Sequence, residues 1–175
     1  MVEFTCWEDF SKRRILSLAL LLLVHITVTA GAAGGDIQPI TDENIHNAVR
    51  AWCFNSSTAN TTYGPISSWD VSTVRNMSKL FVGDNTSPHY VPGAEFFNDD
   101  ISGWQTSSVE DMSYMFYHAS MFDQNIGSWD TSLVRTMANM FCFSSSFNQA
   151  IDSWDTHRVI DMDCKCWCIE SNSDL

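Results

Sequence analysis

The chain has 175 residues, of which 45% are hydrophobic and 17% are charged, and its formal net charge is −12. This length and apolar content fit one folded domain with a modest core and exclude a mainly disordered chain. The excess of carboxylates repels phosphate backbones and anionic lipid headgroups, so nucleic acid is excluded as the expected partner.

Residues 1–33 have the composition of a targeting segment. Three basic residues at 12–14 precede the apolar run ILSLALLLLV at 15–24, and small residues follow at 30–32. This order is typical of a signal peptide. The alternative is an uncleaved membrane anchor, because residues 15–33 approach the length of a bilayer span. A signal peptide predicts a protein that is secreted or held at the cell surface. An uncleaved anchor predicts a single-pass membrane protein, with the membrane as a partner.

Residues 34–62 are predicted to form an N-terminal capping helix and a glycosylation-prone loop. In ITDENIHNAVRAW, Thr41 is placed to cap a helix whose apolar face has the spacing i, i+3, i+4, i+7, namely Ile45, Ala48, Val49 and Trp52. Four Asn-x-Ser/Thr sequons follow the targeting segment. In an exported chain they are candidates for N-glycans: Asn55, Asn60, Asn76 and Asn85.

A repeat of about 25 residues runs through residues 63–163. Four copies, WDVSTVRNMSKLF, WQTSSVEDMSYMF, WDTSLVRTMANMF and WDTHRVIDMDCKC, begin at Trp69, Trp104, Trp129 and Trp154. The first interval is 35 residues and the next two are 25, so the ten extra residues fit an insertion at 82–95. A fixed period of this size indicates a solenoid of stacked repeats.

The spacing inside one repeat predicts a short strand and a short helix. In the second copy, apolar residues from Val109 to Phe122 are spaced 3, 3, 1, 3 and 3, with Ser107 or Ser108 placed to cap the helix. The stretch 100–104 is interpreted as a brief strand. The predicted fold is therefore an α/β repeat solenoid, whose leucine-rich-repeat-like coils each contain one short parallel strand and one short helix.

The interior of the predicted stack takes the same residue types from each repeat. Because the methionines share a face with Val and Phe, they are interpreted as core residues rather than as a Met-rich binding surface. The predicted core comprises Trp69, Trp104, Trp129, Trp154, Val109, Met112, Met115, Phe116, Val134, Met137, Met140 and Phe141.

The repeat also resembles a known family. The pattern F-N-x-x-I-x-x-W-D-x-S-x-V-x-x-M-x-x-M-F-x-x-A is similar to the 25-residue repeat of BspA-like leucine-rich-repeat surface proteins, a type also found in mycoplasma lipoproteins, over about residues 40–162. The resemblance implies an extracellular or surface-attached binding solenoid. It implies no catalytic residue.

The fourth repeat departs from the pattern and leads into a divergent cysteine-rich tail at 164–175. Dimerisation through an open end, a truncated chain and a distinct cap are the three explanations for the incomplete repeat. In an exported chain the cysteines predict disulfides, with a thiolate metal site as the alternative. The disulfide candidates are Cys142, Cys164, Cys166 and Cys168.

No familiar catalytic motif stands in the sequence, whether a nucleophile elbow, a phosphate-binding loop or paired metal-binding histidines. The aspartate after three of the four tryptophans becomes Gln105 in the second copy, which favours a turn-forming role. Calcium near Asp99, Asp100 and Asp123 is the functional alternative, although the spacing of known calcium loops is absent. The expectation is a chain without catalytic residues, cofactor or metal.

Two functions suit these features. The first is an exported, non-enzymatic surface or extracellular module that binds or adheres to an unidentified protein or glycan. The alternative is a structural acidic glycoprotein of a cell wall or extracellular matrix.

Overall fold

Turns, rather than strands or long helices, build most of residues 37–163. The computed structural model describes residues 37–163. It contains two α-helices, α1 (Ile45–Phe54) and α2 (Ser56–Tyr63), and two 3₁₀ helices, Ile66–Ser68 and Ala94–Phe96. Within these residues there are no strands, and three isolated parallel bridges link successive repeats at Asn76, Asp111, Thr136 and Asp161.

The predicted α/β solenoid of leucine-rich-repeat-like coils is therefore wrong for residues 37–163. Where a helix was expected, from Val109 to Phe122, amide groups do not bond four residues back. The Phe116 N–H donates to the Met140 carbonyl, 24 positions later, at 2.9 Å. The three-residue apolar spacing comes instead from tight turns, such as the bond of 3.0 Å from the Ala119 N–H to the Phe116 carbonyl.

Most backbone hydrogen bonds between repeats run from an N–H of one repeat to a carbonyl of the next. A smaller set runs back, such as the bond of 2.8 Å from the Glu110 N–H to the Arg75 carbonyl. Alternate N–H groups of the first repeat donate to carbonyls of the second at 2.8–2.9 Å, from Met77, Lys79, Phe81 and Gly83. The matching N–H groups of the second repeat donate to the third at 2.8–3.0 Å, from Met112, Tyr114, Phe116 and His118. Alternate peptide groups thus form continuous hydrogen-bonded columns, in which neighbouring bonds polarise one another.

Left-handed backbone conformations give these segments their shape. Lys79, Tyr114 and Asn139 hold the same position in three successive repeats and have φ values of 61°, 57° and 55°. Strands and α-helices need negative φ throughout, so these residues end either element. In the second repeat left-handed residues recur at Tyr114 and His118, two of the residues whose N–H groups donate to the next repeat. Each non-glycine left-handed residue costs roughly 1–2 kcal/mol, which the surrounding contacts must offset.

Three stacks of aromatic rings fill the interior. Four indoles lie nearly parallel, with ring centroids 6.2, 6.3 and 6.5 Å apart, in the order Trp69, Trp104, Trp129, Trp154. A second stack has spacings of 5.2 and 5.6 Å and contains Phe81, Phe116 and Phe141. A third has spacings of 5.9 Å and contains Phe97, Phe122 and Phe147. Such ring pairs add about 0.5–1.5 kcal/mol each beyond the burial of their area.

The indole N–H groups of Trp104, Trp129 and Trp154 donate to carbonyls of the repeat that lies before them. Trp104 donates to the Ile66 carbonyl at 2.9 Å, and Trp129 donates to the Ile101 carbonyl at 3.2 Å. Across residues 37–163 no buried side-chain nitrogen or oxygen lacks a hydrogen-bond partner. The tryptophans therefore contribute both apolar area and a bond that fixes the register between repeats.

Helix α1 covers the first repeat. Its Ile45, Ala48 and Val49 are buried in the same core as the aromatic stacks. Its N-cap is Asn44 rather than the expected Thr41, and the Asn44 amide oxygen accepts the Thr41 N–H at 2.8 Å.

The segment after α1 is helical, not the expected loop. Helix α2 begins at Ser56, with Asn55 as its N-cap, and the Asn55 side chain accepts the Thr58 N–H at 3.1 Å. The helix was not predicted because Ser, Thr and Asn residues favour caps and turns rather than helix interiors.

Two predicted features lie outside the described residues. These are the targeting segment at 1–33 and the tail with Cys164, Cys166 and Cys168. Across residues 37–163, neither helix has the length and apolar character that crossing a bilayer requires.

The stacked core makes a direct stability prediction for two phenylalanines. Phe116 is fully buried between neighbouring repeats, whereas Phe96 is 68% exposed. We expect Phe116→Ala to lower the free energy of unfolding by about 3–5 kcal/mol, because it leaves a cavity in the stack. The matched variant Phe96→Ala should change it by less than about 0.5 kcal/mol. Urea unfolding followed by tryptophan fluorescence measures both, and equal effects would contradict the stacked core.

The aspartates that follow the tryptophans close short turns. The Asp130 carboxylate accepts the Ser132 N–H at 3.0 Å, and Asp70 and Asp155 do the same two residues on. Hydrogen bonds from Ser132, through its side chain and its backbone, lower the pKa of Asp130. A lowered folded-state pKa contributes stability above the unfolded value, near 3.9, that is lost as pH falls through the folded value.

The turn at Asp130 therefore predicts a pH-dependent effect of Asp130→Asn. The variant should be less stable than the wild type at pH 7. The difference should shrink as the pH falls below the unfolded pKa, near 3.9, and through the lower folded pKa of Asp130. Asp152→Asn removes the same charge from an exposed aspartate outside these turns, so its effect should not follow this trend. Urea unfolding at pH 7, 5 and 3 makes the comparison, and parallel pH profiles for the two variants would refute the turn's role.

Candidate functional site

Three adjoining clefts lie beside the left-handed turns, and two of them also border the insertion at 82–95. The aromatic cleft, of about 430 Å³, is lined by residues that include Lys79, Asp84, His89, Tyr114 and Tyr117. The acidic cleft, of about 440 Å³, shares both tyrosines and adds Asn139, Asp161 and Asp163. The basic cleft, of about 280 Å³, shares Lys79 and His89 with the aromatic cleft and adds His46 and Arg50.

The repeat itself places one line of cleft residues. Lys79, Tyr114 and Asn139 are equivalent in the three repeats, and each occupies the left-handed position. Successive backbone bonds hold these positions in register, with the Lys79 N–H on the Ser113 carbonyl and the Tyr114 N–H on the Ala138 carbonyl. A cation, a phenol and an amide therefore follow one another on a rigid backbone along the clefts.

A partly exposed aromatic cluster borders the aromatic cleft. The rings of Tyr114 and Tyr117 are 5.4 Å apart, those of Tyr117 and His118 are 4.6 Å apart, and those of His118 and Phe143 are 4.3 Å apart. Tyr114 is 36% exposed and Phe143 is 43% exposed. Rings that combine apolar faces with a polar edge are enriched where proteins bind ligands.

The insertion at 82–95 forms an ordered wall of the aromatic and basic clefts. The Val91 N–H donates to the Val82 carbonyl at 2.8 Å and closes the base of the insertion. At its tip, Asp84 accepts the Thr86 N–H at 2.9 Å and the Thr86 hydroxyl at 2.7 Å. These bonds lower the pKa of Asp84, the hydroxyl bond more than the N–H bond. The wall is thus held by its own hydrogen bonds and presents a carboxylate to the aromatic cleft.

Positive side chains gather at the basic cleft. Two of the five Lys and Arg residues within 37–163 line it, and the Lys79 ammonium lies 3.4 Å from His89 Nε2. Elsewhere, the guanidinium groups of Arg75 and Arg135 contact Glu110 at 3.6 and 3.4 Å. The cleft is therefore a local positive region in a chain of net charge −12.

The carboxylates suggested for calcium have structural partners. Asp99 accepts the Trp52 indole N–H at 2.7 Å, and Asp100 accepts the Ser102 N–H at 2.9 Å. Asp123 accepts the Asn148 N–H at 2.9 Å and the Gln149 amide at 2.8 Å, which ties one repeat to the next. In the part of the chain that the structure describes, no three His, Cys, Asp or Glu side chains cluster as metal ligands would.

Comparison with protein families gives one match. The family described as "Mycoplasma protein of unknown function, DUF285" matches residues 51–172, which is more than half of the chain. The chain belongs to this family. No BspA-like or leucine-rich-repeat family matches, so the resemblance to BspA-like leucine-rich-repeat proteins is wrong. No curated protein and no solved structure matches the chain.

The residues that the sequence assigned to the core lie along the interior of this DUF285 repeat. Phe141 and Trp154, toward the last repeat, are half-buried. The others are buried: Trp69, Trp104, Trp129, Val109, Met112, Met115, Phe116, Val134, Met137 and Met140. They form the scaffold and line none of the three clefts.

All four sequon asparagines are exposed, which leaves them accessible to glycans: Asn55, Asn60, Asn76 and Asn85. Two of the four side chains accept hydrogen bonds: Asn55 accepts the Thr58 N–H, and Asn76 accepts two bonds. The Asn76 amide oxygen accepts both the N–H and the hydroxyl of Ser78, at 2.9 and 2.7 Å.

The cysteines within 37–163 have two different states. Cys142 is buried and disulfide-bonded. Cys53 is a free thiol whose pKa is raised to about 12, first by burial and then by the carboxylates of Asp99 and Glu95. A thiol with such a pKa stays protonated at neutral pH and is a poor nucleophile.

The cleft residues were not predicted from the sequence, although the repeat contains a pattern that points to them. Lys79, Tyr114 and Asn139 occupy one repeat position with three different residue types, in a repeat whose core positions scarcely vary. His89 lies in the insertion that interrupts the period. Variation on a regular scaffold indicates positions that packing does not fix, which is where binding residues can stand.

Proposed function

We propose that this chain is an exported, non-enzymatic binding module of the cell surface or extracellular space, and that its ligand occupies the aromatic cleft. The observation that supports this most directly is the partly exposed cluster of Tyr114, Tyr117, His118 and Phe143 beside that cleft. Partly exposed rings next to charged groups can bury a ligand's apolar faces while they orient its polar groups.

The backbone beneath the cleft supports the proposal. Tyr114 and Lys79 have left-handed backbone conformations, and their N–H groups donate to the next repeat. Their backbones are therefore fixed before a ligand binds. A preformed site loses less conformational entropy on binding, and affinity rises accordingly. A volume of about 430 Å³ suits a small ligand or the end of a longer chain.

Contacts of the cleft histidines also favour binding over catalysis. His46 Nε2 lies 2.9 Å from the Ser78 carbonyl, and His89 Nε2 lies 3.4 Å from the Lys79 ammonium. Neither contact is to a hydroxyl or thiol that a histidine base could activate.

The second candidate is a structural acidic glycoprotein of a wall or matrix. Exposure of all four sequon asparagines favours it, because glycans at these positions would coat the outside without disturbing the core. This candidate needs no saturable binding to any ligand.

Saturable binding that depends on Tyr114 tests the first candidate against the second. The purified chain is screened on glycan and extracellular-matrix protein arrays, and binding to the best hit is measured by surface plasmon resonance. Tyr114→Ala should weaken binding at least tenfold, about 1.4 kcal/mol, as expected for an anchoring aromatic residue.

The control variant is Leu133→Ala. Leu133 is 39% exposed, a fraction similar to the 36% of Tyr114, and it lines none of the clefts. Its replacement should therefore leave the affinity unchanged. Absence of saturable binding, or equal affinities for wild type and Tyr114→Ala, would overturn the proposal. Absence of binding together with recovery of the chain in an insoluble wall fraction would support the structural alternative.

A further inference from the structure

The aromatic and basic clefts meet along one shared edge. Lys79, Pro88 and His89 line both of them. Beyond this edge, Tyr114 and Tyr117 stand on one side and His46 and Arg50 on the other. One ligand long enough to cross the edge would contact flat aromatic rings at one end and cations at the other.

The charges at this junction determine where an acidic group of the ligand would bind. The basic cleft is lined by Arg50, Lys79, His46 and His89 and by no carboxylate. The aromatic cleft contains one carboxylate, Asp84, one of whose oxygens accepts both bonds from Thr86. An anionic group is therefore favoured at the basic end, while a neutral group with hydroxyl donors suits Asp84.

The break in the repeat builds this junction. The insertion at 82–95 supplies Asp84, Pro88 and His89, and helix α1 supplies His46 and Arg50. The next two repeats have 25-residue periods and lack such an insertion. The site is thus specific to the first repeat rather than a property shared by every copy.

We infer that the joined clefts bind an acidic saccharide, with a sugar ring against Tyr114 and Tyr117 and its carboxylate or sulfate group beside Arg50 and Lys79. An acidic saccharide carries three kinds of group that these clefts can bind. They are apolar C–H ring faces, hydroxyl donors and a fixed anion. This inference rests on the proposed function and adds the chemical class of the ligand.

Matched acidic and neutral saccharides test the inference on the full chain. Calorimetric titrations use 3′-sialyllactose against lactose for the carboxylate, and a chondroitin sulfate tetrasaccharide against its unsulfated counterpart for the sulfate. At least one acidic member should bind tenfold more tightly than its neutral partner. The preference should fall as salt is raised from 50 to 300 mM, because the Debye length shortens.

Two charge variants separate the acidic preference from binding itself. Arg50→Gln and Lys79→Asn should each reduce the acid-to-neutral affinity ratio at least threefold, and asparagine suits the left-handed φ of 61° at residue 79. Arg158→Gln, an exposed cation outside the clefts, should leave the ratio unchanged. Tyr114→Ala should weaken the acidic and neutral members alike.

The outcomes distinguish this inference from the proposed function. Equal binding of acidic and neutral saccharides, lost in Tyr114→Ala, would overturn the acidic preference and leave the binding module standing. An acid-to-neutral ratio unaffected by Arg50→Gln and Lys79→Asn would also overturn it, as would inorganic sulfate or an acidic peptide binding as tightly as the saccharide. If none of the saccharides binds, the inference fails, while the array screen still decides the proposed function.

Discussion

Hydrogen bonds between the backbones of successive repeats are the interaction on which the rest of this protein depends. Met112, Tyr114, Phe116 and His118 each donate an N–H to the following repeat, and the carbonyl of the residue before each accepts from the repeat that precedes. This arrangement sets the distance between repeats, and that distance allows the indoles and phenyl rings to stack. The rings in turn exclude water from the bonds, so the polar columns and the apolar stacks stabilise each other.

The same backbone explains where a binding site can form. Core positions repeat because each ring must match the ring in the next copy, which leaves little room for functional variation there. The left-handed positions hold no stacked ring, and their residue types differ: Lys79 and Tyr114 reach the surface, whereas Asn139 is buried. The insertion at 82–95 adds the wall that turns this surface into clefts. The interior of the repeats therefore forms the scaffold, while turns, the insertion and α1 form the site.

Some of this organisation could be predicted from the sequence. The period of 25 identifies equivalent residues, such as Trp104 and Trp129, without any knowledge of backbone conformation. The secondary structure could not be predicted, because the three-residue turns from Met112 to Phe122 give nearly the same apolar spacing as a helix. The left-handed φ values at Tyr114 and His118 distinguish the turns from a helix. Neither tyrosine nor histidine predicts a left-handed φ from its residue type. The clefts depend on contacts between α1, the insertion and the turns, which no local pattern contains.

Detection of hydrogen-bond partners by NMR tests this account most directly. Scalar couplings across hydrogen bonds, measured in a long-range HNCO experiment on the deuterated chain, identify the carbonyl that each amide contacts. The account predicts couplings from the Phe116 nitrogen to the Met140 carbonyl carbon and from the Tyr114 nitrogen to the Ala138 carbonyl carbon. A coupling from the Phe116 nitrogen to the Met112 carbonyl carbon, four residues back, would reveal an α-helix and contradict it.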